Sequence, residues 1–243
     1  MSVTGQFDMV GGATRYGKFS DFLGLGQDSN VACEGWTGVT ENSGTSTVAT
    51  AVIDGAYTLT TGTSDNNAGS IVLGLNYRAS DNGIVMEAGV NLTSIASVGL
   101  FVGFTDTTSI EFPISISGTT ITSNATDAVG LLFDTDATTD VWYAVGVKAD
   151  VDTAAIAVSS AYTPVAATYQ NIRVQVDTNG YAYFFINGNQ VAMQNLNQGT
   201  GQTGLANAVT TTAALTPCVY VGTRTTAAKV ATVDYVYAQK GRI

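Results

Sequence analysis

The densest group of ionisable side chains is Asp134-Thr-Asp136-Ala-Thr-Thr-Asp140, with Asp150 and Asp152 following one apolar run later. Loop carboxylates are natural ligands of calcium, which takes about six to eight oxygens. Asp134, Asp136 and Asp140 are therefore the candidate metal ligands. The competing reading is a solvated loop, because Asp and Thr also close turns through side-chain to backbone hydrogen bonds. No Glu or Gly stands at the spacing of a helix-loop-helix calcium site. Glu87 is the one Glu inside a clear strand-like run, and its alternate neighbours are Val85 and Gly89. Glycoside hydrolysis needs two carboxyl groups about 5 to 9.5 Å apart. No such pair is visible, and the bland reading of Glu87 is a solvent-facing strand residue. The chain has no His, which excludes Ser-His-Asp triads, Cys-His dyads and His-ligated zinc. Gly12-Ala-Thr-Arg-Tyr-Gly-Lys18 nearly matches a phosphate-binding loop, but Phe19 stands where the metal-binding Ser or Thr belongs. It reads instead as a flexible stretch with chance basic residues. No catalytic residue and no cofactor is assigned.

The aromatic residues Trp36, Trp142, Tyr143, Tyr181, Tyr183, Phe184 and Phe185 could stack on sugar rings or fill a core. Strand alternation puts Tyr181, Tyr183 and Phe185 on one face, and Phe184 and Ile186 on the other. Trp142 lies in an apolar run and reads as core. The net charge is −10 with only nine basic residues, too few and too scattered to grip phosphates. Nucleic acid and anionic membrane are excluded as partners on that ground. No stretch approaches the apolar length of a membrane-spanning helix. The N-terminus lacks the apolar core of a signal peptide, so synthesis and folding in a cytoplasm are expected. Without a secretion signal, the sequons at Asn91 and Asn124 read as chance. Cys33 and Cys218 read either as two buried thiols or as a disulfide joining the first and last strands.

The elements that position these residues are strands. The chain of 243 residues holds 36 Thr and 27 Val, and β-branched side chains favour the pleated sheet. Asp54-Gly55 separates two alternating runs and predicts a hairpin. Asn179-Gly180 and Asn187-Gly188 predict two more turns, around the run Tyr181 to Ile186. Val98 to Thr105, Val129 to Phe133, Val141 to Val147 and Asn171 to Thr178 are further strands. About a dozen short strands with no sustained 3.6-residue period indicate an antiparallel sandwich or barrel. The stretch from Asn195 to Ala214 reads as a long loop or a poor helix. Residues 1–30 stand apart as an extended, glycine-rich arm without strand alternation. Phe7, Met9, Tyr16, Phe19, Phe22 and Leu23 make that arm too apolar for a solvated tail, so it is expected to bind a partner. Residues 31–243 form the β-sandwich domain.

The segment Tyr169 to Val191, with its alternating strand, its Asn-Gly turn and its aromatic second strand, resembles the paired strands of concanavalin A and laminin-G-like jelly rolls. Thr232 to Gln239 resembles the closing strand of that fold, and Val85 to Leu92 with Leu100 to Asp106 a matching pair in the first half. The resemblance spans roughly residues 35 to 240. It implies an all-β antiparallel β-sandwich of jelly-roll, concanavalin A-like type. It is also similar to domains of bacteriophage virion proteins. That likeness implies a non-enzymatic capsid decoration or head-fibre protein, held to the major capsid protein or other virion proteins through its arm. The implied setting is the capsid surface, with a homo-oligomer, a trimer by expectation, and a host surface glycan as a further partner. The alternative is a lectin-like glycan-binding domain, and the third reading a glycoside hydrolase. Laminin-G-like domains often bind calcium at a sheet rim, which is what the resemblance implies for Asp134, Asp136 and Asp140.

Overall fold

A computed structural model describes residues 15–22, 35–49, 55–153, 155–192 and 208–241. Its strands, in chain order, are β1 (Arg15–Ser20), β2 (Thr37–Thr40), β3 (Thr45–Val48), β4 (Tyr57–Thr60), β5 (Ala68–Val72) and β6 (Ile84–Leu92). Then come β7 (Val98–Thr105), β8 (Ile114–Ser117), β9 (Thr120–Ser123), β10 (Ala128–Asp134), β11 (Trp142–Lys148) and β12 (Val151–Asp152). The last are β13 (Ile156–Ala157), β14 (Gln170–Val176), β15 (Ala182–Ile186), β16 (Asn189–Val191), β17 (Thr216–Thr223) and β18 (Val230–Gly241). One 3₁₀ turn, Ser160–Tyr162, is the only helical element among the described residues.

The strands form two large antiparallel sheets and a separate two-stranded one, β8-β9. One runs β16-β15-β14-β6-β18-β4-β3, with β1 also on β18; the other runs β12-β11-β10-β7-β17-β5-β2, with β13 also on β11. Alternation in sequence decides the facing. In β14, Ile172, Val174 and Val176 point into the sandwich while Asn171, Arg173 and Gln175 point out. β6 repeats this with Ile84, Met86, Ala88, Val90 and Leu92 inward. Leu100, Val102 and Phe104 of β7 and Leu131 and Phe133 of β10 meet them from the opposite sheet.

The turn chemistry holds in part. β3 and β4 do pair as a hairpin, but with Val48 opposite Tyr57 the register is not that of a two-residue turn at Asp54-Gly55, and Asp54 lies outside the described residues. Asp177 shapes the β14–β15 turn: its Oδ1 accepts the amides of Asn179 and Tyr181 at 2.8 and 3.0 Å. Asn187 and Gly188 both adopt positive φ, as a two-residue hairpin turn requires.

The two sheets differ in what covers their outer faces. β5, β7, β10 and β17 are buried at every position. The β8–β9 hairpin and the chain leading to it lie over them and form a second apolar cluster. Phe112, Ile114 and Ile116 there meet Phe101, Leu132, Val145 and Tyr220. Phe112 sits on a floor of glycine, since a Cβ at Gly222 would come 2.7 Å from its ring and one at Gly99 3.1 Å. Those two glycines are cross-strand partners. The sheet containing β14 has no such cover among the described residues, and its outer positions are half-buried.

The arm expected over residues 1–30 is corrected where it is described. Arg15–Ser20 is a strand whose six residues all pair with β18. Phe22 is 1% exposed and packs against Tyr57, their ring centroids 5.2 Å apart. The flexible-stretch reading of Gly12 to Lys18 is likewise corrected over its described part, because Arg15 to Lys18 lie in that paired strand. Phe7, Met9, Leu23 and Cys33 fall outside the described residues, as does most of Asn195 to Ala214. Within the latter, Ala208 and Val209 are buried in the core and no helix forms from Ala208 onward.

Candidate functional site

The open outer face is built by strand register. Directly opposed residues of antiparallel neighbours project to the same side. One cross-strand row therefore reads Gln190, Phe185, Arg173, Glu87, Tyr237, Phe19 over six strands. The adjacent row reads Tyr183, Gln175, Val85, Gln239, Gly17. At about 4.8 Å per strand the first row is roughly 24 Å wide. A bulge in β18 between Val233 and Val236 adds Tyr235 to this surface, where its ring lies against Gly89. Tyr235 also stacks with Phe19, centroids 6.0 Å apart.

Polar groups are interleaved with these rings and hold one another in place. Arg173 lies over the Phe185 ring at 5.5 Å from its centroid. With the Gln175 amide oxygen turned toward it, the Arg173 Nε donates at 2.6 Å. The Tyr235 hydroxyl donates to Glu87 Oε1 at 2.6 Å. Burial, and then the adjoining Glu87 carboxylate, push the Tyr235 phenol well above its ordinary range. It is thus a fixed proton donor rather than a base at neutral pH. Glu87 is flanked across the strands by Arg173 and Tyr237, so no second carboxylate stands beside it in its row. The arrangement suits binding of a neutral polar ligand: flat apolar rings alternate with oriented donors and acceptors.

The aromatic residues singled out in sequence divide between this surface and the core. Tyr181, Tyr183 and Phe185 are half-exposed, whereas Phe184 is fully buried, as alternation requires. Trp36 and Trp142 are core residues at 1% exposure, and Trp142 Nε1 donates to Gln170 at 3.1 Å. Tyr143 lies on β11 of the other sheet and bonds to the Thr139 carbonyl. Phe19, named in sequence as a partner-binding residue of an arm, lies instead on this sheet face. Tyr235 and Tyr237 were not singled out, although their alternation with Val236 and Ala238 carries the signal.

The acidic cluster is not built as a calcium site. Asp134 is fully buried and takes Arg224 in a two-pronged pair, Nε to Oδ1 at 2.8 Å and Nη2 to Oδ2 at 2.6 Å. Its oxygens also accept the amides of Ile116 and Asp136. The Asp136 carboxylate is 3.5 Å from the same guanidinium, and Asp140 is exposed farther along the loop. A permanent cation thus stands where the metal would be. Among the described residues no three His, Cys, Asp or Glu side chains are grouped to hold a metal ion. Cys218 is buried and free.

No family model and no curated protein sequence matches the chain. Solved structures match in fold. The carbohydrate recognition domain of Emp47p superposes with a TM-score of 0.57 at 10% identity, covering 96% of this chain and 97% of that one. Peanut lectin gives 0.56 at 11% identity, covering 95% and 100%. The alginate lyase AlyC3, solved in complex with dimannuronate, gives 0.50 at 9% identity, covering 77% and 76%. At such identities the likeness is one of architecture, and function does not follow from it. The bacteriophage setting implied by the sequence resemblance has no counterpart in these matches. Two antiparallel sheets, nearly all-β content and these superpositions make the fold an antiparallel jelly-roll β-sandwich of concanavalin A-like type.

Proposed function

We propose that the protein is a carbohydrate-binding domain that takes a saccharide on the open face of the β14-containing sheet. The observation that carries this reading is the cross-strand row Phe185, Arg173, Glu87, Tyr237, Phe19, lying on the sheet face that no hairpin covers among the described residues. Sugar rings present C–H faces that stack on aromatics and hydroxyls that both donate and accept. Tyr183, Phe185, Tyr235 and Tyr237 serve the first, and Arg173, Gln175, Glu87 and Gln239 the second. Lectins among the structural neighbours support the reading at the level of fold. On a virion such a face would engage a host surface glycan, with the rest of the sandwich serving attachment.

The test is a glycan array followed by calorimetry with the best ligand. Saturable binding is expected from the native protein. Phe185→Ala and Tyr237→Ala each remove a stacking surface and should weaken it roughly five- to thirtyfold, the equivalent of about 1 to 2 kcal/mol. Val165→Ala, at an exposed position away from the row, should change nothing. An array without a single reproducible hit would overturn the proposal, as would full affinity in both aromatic variants.

A further inference from the structure

The structure assigns a second binding site: a cationic pocket beside the open face that takes the carboxylate of an acidic sugar, a uronic acid residue. The pocket has a volume of about 640 Å³ and is lined by Lys18, Arg78, Lys240, Tyr16, Tyr77 and Asn76, with Asp81 as its one carboxylate. This volume is that of a small-molecule site.

Charge is the first argument. The chain carries nine basic residues and a net charge of −10, yet three of the nine converge here. Among the described residues Lys18, Arg78 and Lys240 make no ion pair, the salt bridges being those of Arg224. The Lys240 ammonium donates to the Asn76 carbonyl at 2.6 Å and lies 5.9 Å from the Tyr77 ring centroid. Three cations against Asp81 leave the lining at about +2, in a molecule whose remainder is strongly acidic.

The second argument is an unmet donor. Tyr77 is 1% exposed and its hydroxyl has no hydrogen-bond partner among the described residues. A buried hydroxyl left so is destabilising, and a ligand oxygen reaching it from the pocket would satisfy it. Burial holds the Tyr77 phenol above its ordinary range, so it offers a proton at any physiological pH.

The lining also says what kind of anion fits. Arg78 offers the planar fork that matches a carboxylate. Tyr16, Tyr77 and Asn76 offer ring faces and amide groups for a hydroxylated ring. Asp81 opposes a dianion more than a monoanion. The sugar part of the assignment rests on the carbohydrate reading above, and position supports it. Tyr16 and Lys18 alternate with Gly17 on β1, an edge strand at this point. The Tyr237 ring of the open face lies against Gly17, where a Cβ would meet it at 3.4 Å. A saccharide on the face could therefore turn its acidic substituent around β1 into the pocket.

The experiment follows amide NMR shifts of the full chain on titration with D-glucuronate, methyl glucoside and sodium sulfate, beside the neutral glycans of the array. Glucuronate should shift residues 76–81 and 240, and Arg78→Gln or Lys240→Gln should weaken it at least tenfold. Both variants should keep the native melting temperature and the native affinity for neutral glycans. Equal binding of methyl glucoside would show that charge plays no part and overturn the assignment. Sulfate binding as tight as glucuronate would overturn the sugar part. Absence of glucuronate binding, with neutral glycans still bound, would overturn the pocket alone. Glucuronate binding without neutral glycans would uphold the pocket and remove the open-face reading.

Discussion

Asp134 and Arg224 meet where water does not reach: their side chains are 0% and 3% exposed. The guanidinium also rests over the Phe112 ring at 5.0 Å and donates to Asn66 at 2.9 Å. This pair ties the end of β10 to the chain after β17 and to the covering hairpin. Removing one partner strands a buried charge, which costs about 3 to 5 kcal/mol. Asp134→Ala should therefore lower the melting temperature by on the order of ten degrees, at about 2 to 4 °C per kcal/mol for a domain of this size. A loss near one degree in calorimetry would show the pair to be dispensable. The buried tyrosines set a second residue-scale expectation. Tyr77 and Tyr220 are both held above their ordinary pKa by burial. Above about pH 10 the unfolded chain gives up phenolic protons that the fold retains. Unfolding then gains on folding by up to about 1.4 kcal/mol per pH unit per group. Denaturant midpoints should fall steeply above pH 10 and be flat in this respect below it. Tyr77→Phe, which loses no protein hydrogen bond, should reduce that slope at little cost at pH 7. The calcium candidates Asp134, Asp136 and Asp140 rest on residue types and on the laminin-G-like resemblance, with a solvated loop as the competing reading. Neither source shows the Arg 90 residues later that folds onto the first of them.

β1 is the element that sequence reasoning did not see. Its inward positions are Tyr16, Lys18 and Ser20 and its outward ones Gly17 and Phe19, so no apolar alternation marks it. Pairing with β18 over six residues makes it a strand, a tertiary effect that local propensity does not report. By contrast, β14 and β15 were legible because inward Ile172, Val174, Phe184 and Ile186 alternate with polar or aromatic outward residues. Tyr235 and Tyr237 show the same alternation in β18. Truncating the chain through Ser20 should therefore damage the sandwich itself. It removes Phe19 from Tyr235 and bares the edge of β18, an invitation to edge-to-edge pairing. The expected outcome is a lower melting temperature and concentration-dependent association by light scattering. A truncated protein as stable and monodisperse as the full chain would mean that β1 is an accessory.

At the scale of the whole molecule, the jelly roll was legible from turn residues and strand runs. Which of its faces stays open was not. The clue lay in the unbroken apolar runs Val98 to Thr105 and Ala128 to Phe133, which alternation alone would never demand. A strand that is apolar at every position must be covered on both sides, and the β8–β9 hairpin supplies the second cover. That cover has a kinetic corollary for solvent exchange. Amide protons of β7, β10 and β17 lie between two apolar layers, so local fluctuations should not bring water to them. They should exchange deuterium only when the entire molecule opens, with the full unfolding free energy. Amides of β15 and β16, at the margin of the other sheet, should exchange through smaller openings and orders of magnitude faster. Mass-resolved exchange would thus sort the two sheets by their clocks, the slow one marking the side that holds the molecule together and the quick one the side to which the proposed saccharide would bind.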